Sequence, residues 1–211
     1  MYSNRFYRER DVELFIEEAI EKKEKYGVQF FYVSAESFFH TKMERFLQFA
    51  ELFKKVDVPF WIEARPESFT EEKLRILNEL SCESISTGIE SGNEELRKKI
   101  LKRHVSNEQI IKGFEALNKF PKIRNCANNI IGFPGETREQ IFDTIDLNRE
   151  VQPQNVMVNI FNPYRGTSLY RMSIEKGYME KGVLAGDYLK EASDSNVRIT
   201  GFGLLYRKAR L

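Results

Sequence analysis

Cysteine is scarce in this chain: Cys82 and Cys126 are the only two in 211 residues. They stand 44 positions apart, a spacing that matches no metal or redox motif. Both read as small core residues, and a disulfide is not expected in a reducing compartment. No apolar run approaches the ~18 residues that a membrane-spanning helix needs. The first fifteen residues are charged and lack the apolar segment of a signal peptide. A cytoplasmic location is therefore expected, with no membrane partner. An excess of one charge is also lacking. The 33 basic and 32 acidic side chains leave a net +1, so no global field points to nucleic acid. The expected partner is a small-molecule substrate. Proline- or glycine-rich linkers, internal repeats and low-complexity tracts do not occur.

What is present is ordinary for a globular domain: 41% hydrophobic and 31% charged residues. Residues 1–182 suit one domain, with 183–211 as a C-terminal extension that loses the pattern. Along the first part, two periodicities alternate. Val12, Phe15, Ile16, Ala19 and Ile20 give a helical stripe, and Val28 to Val33 a short apolar strand. Met43 to Phe53 is helical, Pro59 to Ala64 a strand, and Leu74, Leu77 and Leu80 helical again. Glu83 to Gly88 is a strand, followed by a short helix at Leu96 to Leu101 and a firmer one at Ile110 to Leu117. Asn125 to Ile131 is a strand, Ile141 to Ile145 a helix and Asn155 to Phe161 the last strand. Residues 168–177 close the series as a helix. Capping boxes are expected at Thr41, Ser106 and Thr137, and a cap at Asn93. Trp61, Phe30, Phe31 and Tyr32 read as core. His40 reads as a loop residue. His104 sits in the run Lys102-Arg103-His104, which reads as a solvated helix end.

Five strands separated by helices imply an α/β protein with parallel strands. Periodicity leaves a barrel and an open doubly wound sheet both in play. In either, sites gather at the C-terminal ends of strands. Those ends bring Glu36, Arg65 and Glu90 to one rim. Carboxylates there accept hydroxyl or ammonium hydrogen bonds, and an arginine clamps a carboxylate. Gly132 and Gly135 allow backbone to lie against a flat ring. The bland counterparts are solvated loop charges at Glu36 and Arg65, a helix cap at Glu90, and a simple turn at Gly132-Phe133-Pro134-Gly135.

The order of segments resembles a radical SAM domain, of the subgroup often fused to a cobalamin-binding domain. Arg5-Phe6-Tyr7-Arg8-Glu9-Arg10 is similar to the stretch just after that family's CxxxCxxC loop. Phe60-Trp61-Ile62-Glu63-Ala64-Arg65 resembles its third strand, and Gly88-Ile89-Glu90-Ser91-Gly92, then Leu96-Arg97-Lys98-Lys99-Ile100 and Lys102, its ribose-motif region. Ile130-Ile131-Gly132-Phe133-Pro134-Gly135-Glu136 is similar to the adenine motif. Asn162-Pro163-Tyr164-Arg165-Gly166 resembles the ending of its sixth strand. The resemblance implies a partial (β/α)6 TIM-like barrel, with the first strand and the cluster loop missing. It also implies S-adenosylmethionine and a [4Fe–4S] cluster as cofactors, with cobalamin as a further candidate and the cluster ligands outside this chain. Cofactor contacts would come from Glu36, Arg65, Glu90, Ser91, Gly132, Phe133 and Asn162. The implied activity of the intact parent is reductive cleavage of S-adenosylmethionine to a 5′-deoxyadenosyl radical, the chain alone being inactive. A missing first strand would leave an exposed edge prone to self-association. Two other readings stand beside this one. The first is a non-catalytic S-adenosylmethionine-binding or scaffold domain. The second is a barrel hydrolase using paired carboxylates among Glu36, Glu90 and Glu136.

Overall fold

The computed structural model describes residues 9–35 and 38–179. The expected C-terminal extension 183–211 and Glu36 lie outside the described residues. Helix α1 (Val12–Tyr26) starts on Asp11, whose carboxylate accepts from the Leu14 amide, and stops at Gly27 in the left-handed region. There follow β1 (Phe31–Val33), a short 3-10 turn (Phe38–His40), α2 (Met43–Phe53) and β2 (Phe60–Ala64). Next come α3 (Glu71–Glu79), β3 (Cys82–Glu90), α4 (Glu94–Lys99) and α5 (Asn107–Asn118). The series ends with β4 (Arg124–Ile131), α6 (Arg138–Val151), β5 (Asn155–Ile160) and α7 (Ser168–Glu175). Every expected strand and helix is present.

The sheet order is β1-β2-β3-β4-β5, and the first two pairings are parallel. Sequential order without a reversal lacks the switch point of a doubly wound sheet, which decides between the two architectures left open by the pattern. Strand β1 is shorter than the apolar run that predicts it. Its register sets Phe31 against Phe60, so residues 28–30 stand level with Asp57 to Pro59. That stretch turns through a left-handed Asp57, and only at its end does Pro59 accept from the Phe31 amide, at 3.0 Å.

The described residues form two compact units, those up to 87 with 112–126, and those of 88–111 with 127–179. The core of the first unit is strongly aromatic. Phe46, Phe49, Phe53 and Phe60 are buried there with Leu74, Leu77 and Ile85. Phe53 and Phe60 lie 4.6 Å apart by ring centroids, within the range of favourable aromatic pairs. In the second unit Leu96, Phe133 and Phe161 form a smaller cluster.

Strand period corrects the expectation for the aromatic run. Phe60, Ile62 and Ala64 face the core, so Trp61 and Glu63 point to the opposite side. On β1, Val33 is buried while Tyr32 is 47% exposed, and Phe30 just before it is 44% exposed. The run is apolar, but alternation puts half of it outside the core. Cys82 is buried and its thiol is pushed up to about 12 by burial, whereas Cys126 is only half-buried. Both are free.

The boxes at Ser106 and Thr137 form as read, with reciprocal bonds to Gln109 and Gln140. The one at Thr41 does not. Helix α2 starts one residue later on Lys42, with no side-chain cap, and the Thr41 hydroxyl is buried without a partner. The T-shaped contact of Phe39 with Phe46, centroids 5.6 Å apart, ties the preceding turn to the helix at this point.

Candidate functional site

The second unit holds most of the predicted site. At the end of β3, Glu90 has φ 69°, a left-handed conformation that a non-glycine residue rarely takes and that clusters at functional sites. Two neighbours hold it there. Arg103 lies 3.6 Å from the Glu90 carboxylate and donates to the Gly88 carbonyl at 2.7 Å. Gly88 leaves room for the carboxylate to fold back, since a Cβ there would overlap Glu90 Oε1. The run Lys102-Arg103-His104 is therefore not wholly solvated. His104 is exposed, but Arg103 is largely enclosed beside Glu90. Nor does Glu90 cap the next helix, because Asn93 does so itself, accepting from the Leu96 amide at 2.8 Å.

Ser91 and Gly92 are gripped from two sides. Ser91 is fully buried, and its hydroxyl accepts from the Asn93 amide at 3.2 Å. The Gly92 amide donates to Thr144 on α6 at 2.8 Å. From the other side comes Arg97, the largest fully buried side chain. Its guanidinium donates to the carbonyl of Ser91, to that of Val105 at 3.1 Å and to Asn107 Oδ1 at 2.6 Å. Asn107 in turn donates to the Gly92 carbonyl at 3.1 Å. Pattern reading missed Asn107 and Thr144, and placed Arg97 in the ribose-motif region without assigning it a contact. Arg97 sits in the charged stretch Glu94 to Lys99, and nothing local separates it from the lysines beside it.

At the end of β4 the chain turns through Gly132 and Gly135, both at positive φ. Glu136 closes this turn. One carboxylate oxygen accepts from the Gly132 amide and, at 3.2 Å, from the Phe133 amide. The other oxygen, Oε1, is buried without a partner. Burial holds the Glu136 carboxyl above its ordinary value of 4.5, against the lowering effect of the two amides. Phe133 is buried and packs on Phe161 at 5.1 Å. Asn162 is exposed just beyond β5. In the first unit, Arg65 is exposed at the end of β2, where its carbonyl accepts from the Ser68 amide at 3.0 Å.

A raised carboxylate has a measurable consequence. The stability contributed by neutral Glu136 is complete below pH 4.5 and is lost as pH rises through its higher folded-state value. Urea midpoints from pH 4 to pH 8 are expected to fall more steeply for the natural chain than for Glu136→Gln. The glutamine keeps an acceptor for the two amides and does not titrate. Parallel profiles would mean that Glu136 ionises as freely folded as unfolded.

This arrangement has the order of a known family. The family model of the Radical SAM superfamily matches residues 2–147. The chain belongs to the Radical SAM superfamily. Among curated relatives, it is 28% identical over 135 residues to a tRNA-2-methylthio-N(6)-dimethylallyladenosine synthase of Caldicellulosiruptor saccharolyticus, covering 60% of this chain and 28% of that protein. The synthase of the same name from Clostridioides difficile is 29% identical over 139 residues, covering 62% of this chain and 29% of that protein. The chain thus spans under a third of the length of these relatives. Among solved structures, it is similar to the radical S-adenosylmethionine methyltransferase TsrM of Kitasatospora setae with cobalamin and a [4Fe–4S] cluster bound. There the TM-score is 0.58 and the identity 16%, over 72% of this chain and 31% of that one. It is also similar to the radical SAM enzyme coproporphyrinogen III oxidase, HemN, of Escherichia coli. That match has a TM-score of 0.62 and 15% identity over 91% of this chain and 48% of that one. The partial TIM-like barrel expected for a radical SAM domain is the fold these likenesses support. Enzymes of this superfamily use S-adenosylmethionine and a [4Fe–4S] cluster. No helix among the described residues is long and apolar enough to cross a membrane.

Proposed function

We propose that these residues form the S-adenosylmethionine-facing part of a radical SAM enzyme. The observation that carries this reading is the strained Glu90 at the end of β3, kept in place by Gly88 and Arg103. A carboxylate so held costs stability, which is expected where it meets a ligand. Glu90 would accept from the ribose hydroxyls or the amine of S-adenosylmethionine. The turn at Gly132, with Phe133 behind it and Asn162, would frame the adenine. Glu136 would act by holding that turn, and Ser91 by holding the loop after Glu90. Arg65 and Glu36 remain rim candidates for the methionine carboxylate and amine.

The second cofactor is a different matter. No three potential ligands gather among the described residues, and Cys82 is an enclosed thiol pushed up to about 12. The residues described here do not suit a [4Fe–4S] cluster, which needs exposed thiolates in a group. In an intact enzyme its ligands would come from elsewhere. What the bound cluster supplies in this superfamily is the electron for reductive cleavage of S-adenosylmethionine. The described part of this chain binds, orients and shields. For the hydrolase reading Glu136 is unsuited, because it is buried and bonded to backbone amides. A small-molecule substrate remains the reading, and the tRNA-modifying relatives extend it to adenosine carried on RNA.

Calorimetric titration of the full chain with S-adenosylmethionine tests this. Saturable binding is expected, and Glu90→Ala is expected to weaken it about ten-fold or more, the usual loss for a hydrogen bond to a charged group. An unchanged dissociation constant in the variant would remove Glu90 from the site. No binding by either protein would favour a scaffold role.

A further inference from the structure

The aromatic residues that strand alternation turns away from the first unit's core are not scattered. Tyr32 and Trp61 are register partners on β1 and β2, and their rings lie 4.4 Å apart at 33°. Tyr32 is 47% exposed. Glu63 lies two residues beyond Trp61 on the same face. Glu63 and Ser34 are the polar neighbours of the Tyr32 hydroxyl. The Trp61 indole N–H is shielded from water and has no acceptor.

We infer that Tyr32 and Trp61 form a stacking platform for the planar ring of a purine substrate, with Glu63 reading its edge. The exposed π-surface suits a flat ring, and stacking of this kind tolerates any base because every base has a π-face. Specificity then comes from the edge. The Glu63 carboxylate on the same face has lone pairs for further donors and is an acceptor by type. It therefore favours a ring with an exocyclic amino group over one with a carbonyl at that edge. The ligand chemistry is that of adenine rather than hypoxanthine. This inference rests on the enzyme reading above and adds the place where a substrate ring would be held, on evidence that lies wholly in the first unit.

Trp61 is the only tryptophan in the chain, so its emission reports directly on the platform. Titration of the full chain with adenosine is expected to quench this emission to saturation. Inosine should bind about five-fold or more weakly, as expected when a charged acceptor loses its donor. Tyr32→Ala should weaken adenosine about ten-fold, in line with the loss of one stacking partner. Tyr32→Phe, which keeps the ring, should stay close to the natural chain. Glu63→Gln should erase the preference for adenosine over inosine. Absence of quenching, or an equal response in Tyr32→Ala, overturns the platform. Because S-adenosylmethionine also carries adenine, Glu90→Ala is the control. Retained quenching in that variant supports a separate platform, and lost quenching shows the ring held at the cofactor site instead. Quenching by adenosine without calorimetric binding of S-adenosylmethionine would sink the cofactor reading and leave this one standing.

Discussion

Gly92→Ala is expected to cost about 3 kcal/mol, lowering the melting temperature by roughly 6–12 °C for a chain of this size. The cause is contact, since a left-handed backbone is not involved at this glycine. A Cβ at residue 92 would overlap the Asp143 carbonyl and lie 2.5 Å from Thr144 Cα. Both obstacles are backbone of helix α6, which cannot rotate aside as a flexible side chain could. Either α6 retreats, breaking the 2.8 Å bond from the Gly92 amide to Thr144, or the loop after Glu90 lifts. Each route also displaces Glu90, so binding of S-adenosylmethionine is expected to fall with stability. Thermal unfolding and calorimetry on the same preparation provide the check. A melting temperature within about 2 °C of the natural chain would show that helix and loop are not packed this tightly.

Arg97→Leu is expected to lose about 3–5 kcal/mol, the range for stripping a buried charged group from partners that remain buried. Leucine fills part of the volume, but it leaves two carbonyls, of Ser91 and Val105, and the Asn107 amide oxygen without their donor. Arg97→Lys should recover only a fraction, because an ammonium lacks the planar fork that serves three acceptors from one position. Urea denaturation of the three proteins gives the order natural chain, lysine, leucine. If leucine proved equal to the natural chain, the guanidinium would be dispensable and the loop would owe its shape to Thr144, Asn107 and the Ser91 hydroxyl. This arginine illustrates a limit of reading side chains by type. On sequence, Glu94 to Lys99 is a charged helical turn with acidic residues first and basic residues last, as the helix dipole favours. One of its three basic residues is fully buried, and the linear pattern does not distinguish it.

The sequence by itself determined the alternation of strands and helices, the five strand ends, two of the three capping boxes and the family. Those features depend on neighbours a few residues apart or on the order of short motifs, and both survive in one dimension. Tertiary structure decided which members of an apolar run are core. Residues 30–33 are uniformly apolar, yet the register with β2 buries Val33 and exposes Tyr32. It also decided the role of Glu136, which the sequence offers as one of the carboxylates of a hydrolase pair. Burial and two backbone amides make it the tie that closes the Gly132 turn. Arg97, Arg103 and Thr144 acquire their roles the same way, through partners 6 to 53 positions distant in the chain. A side chain's periodicity sets the face of its element to which it belongs. What lies opposite that face, and whether a charge there meets water or a carbonyl, depends on chain segments that local pattern does not connect.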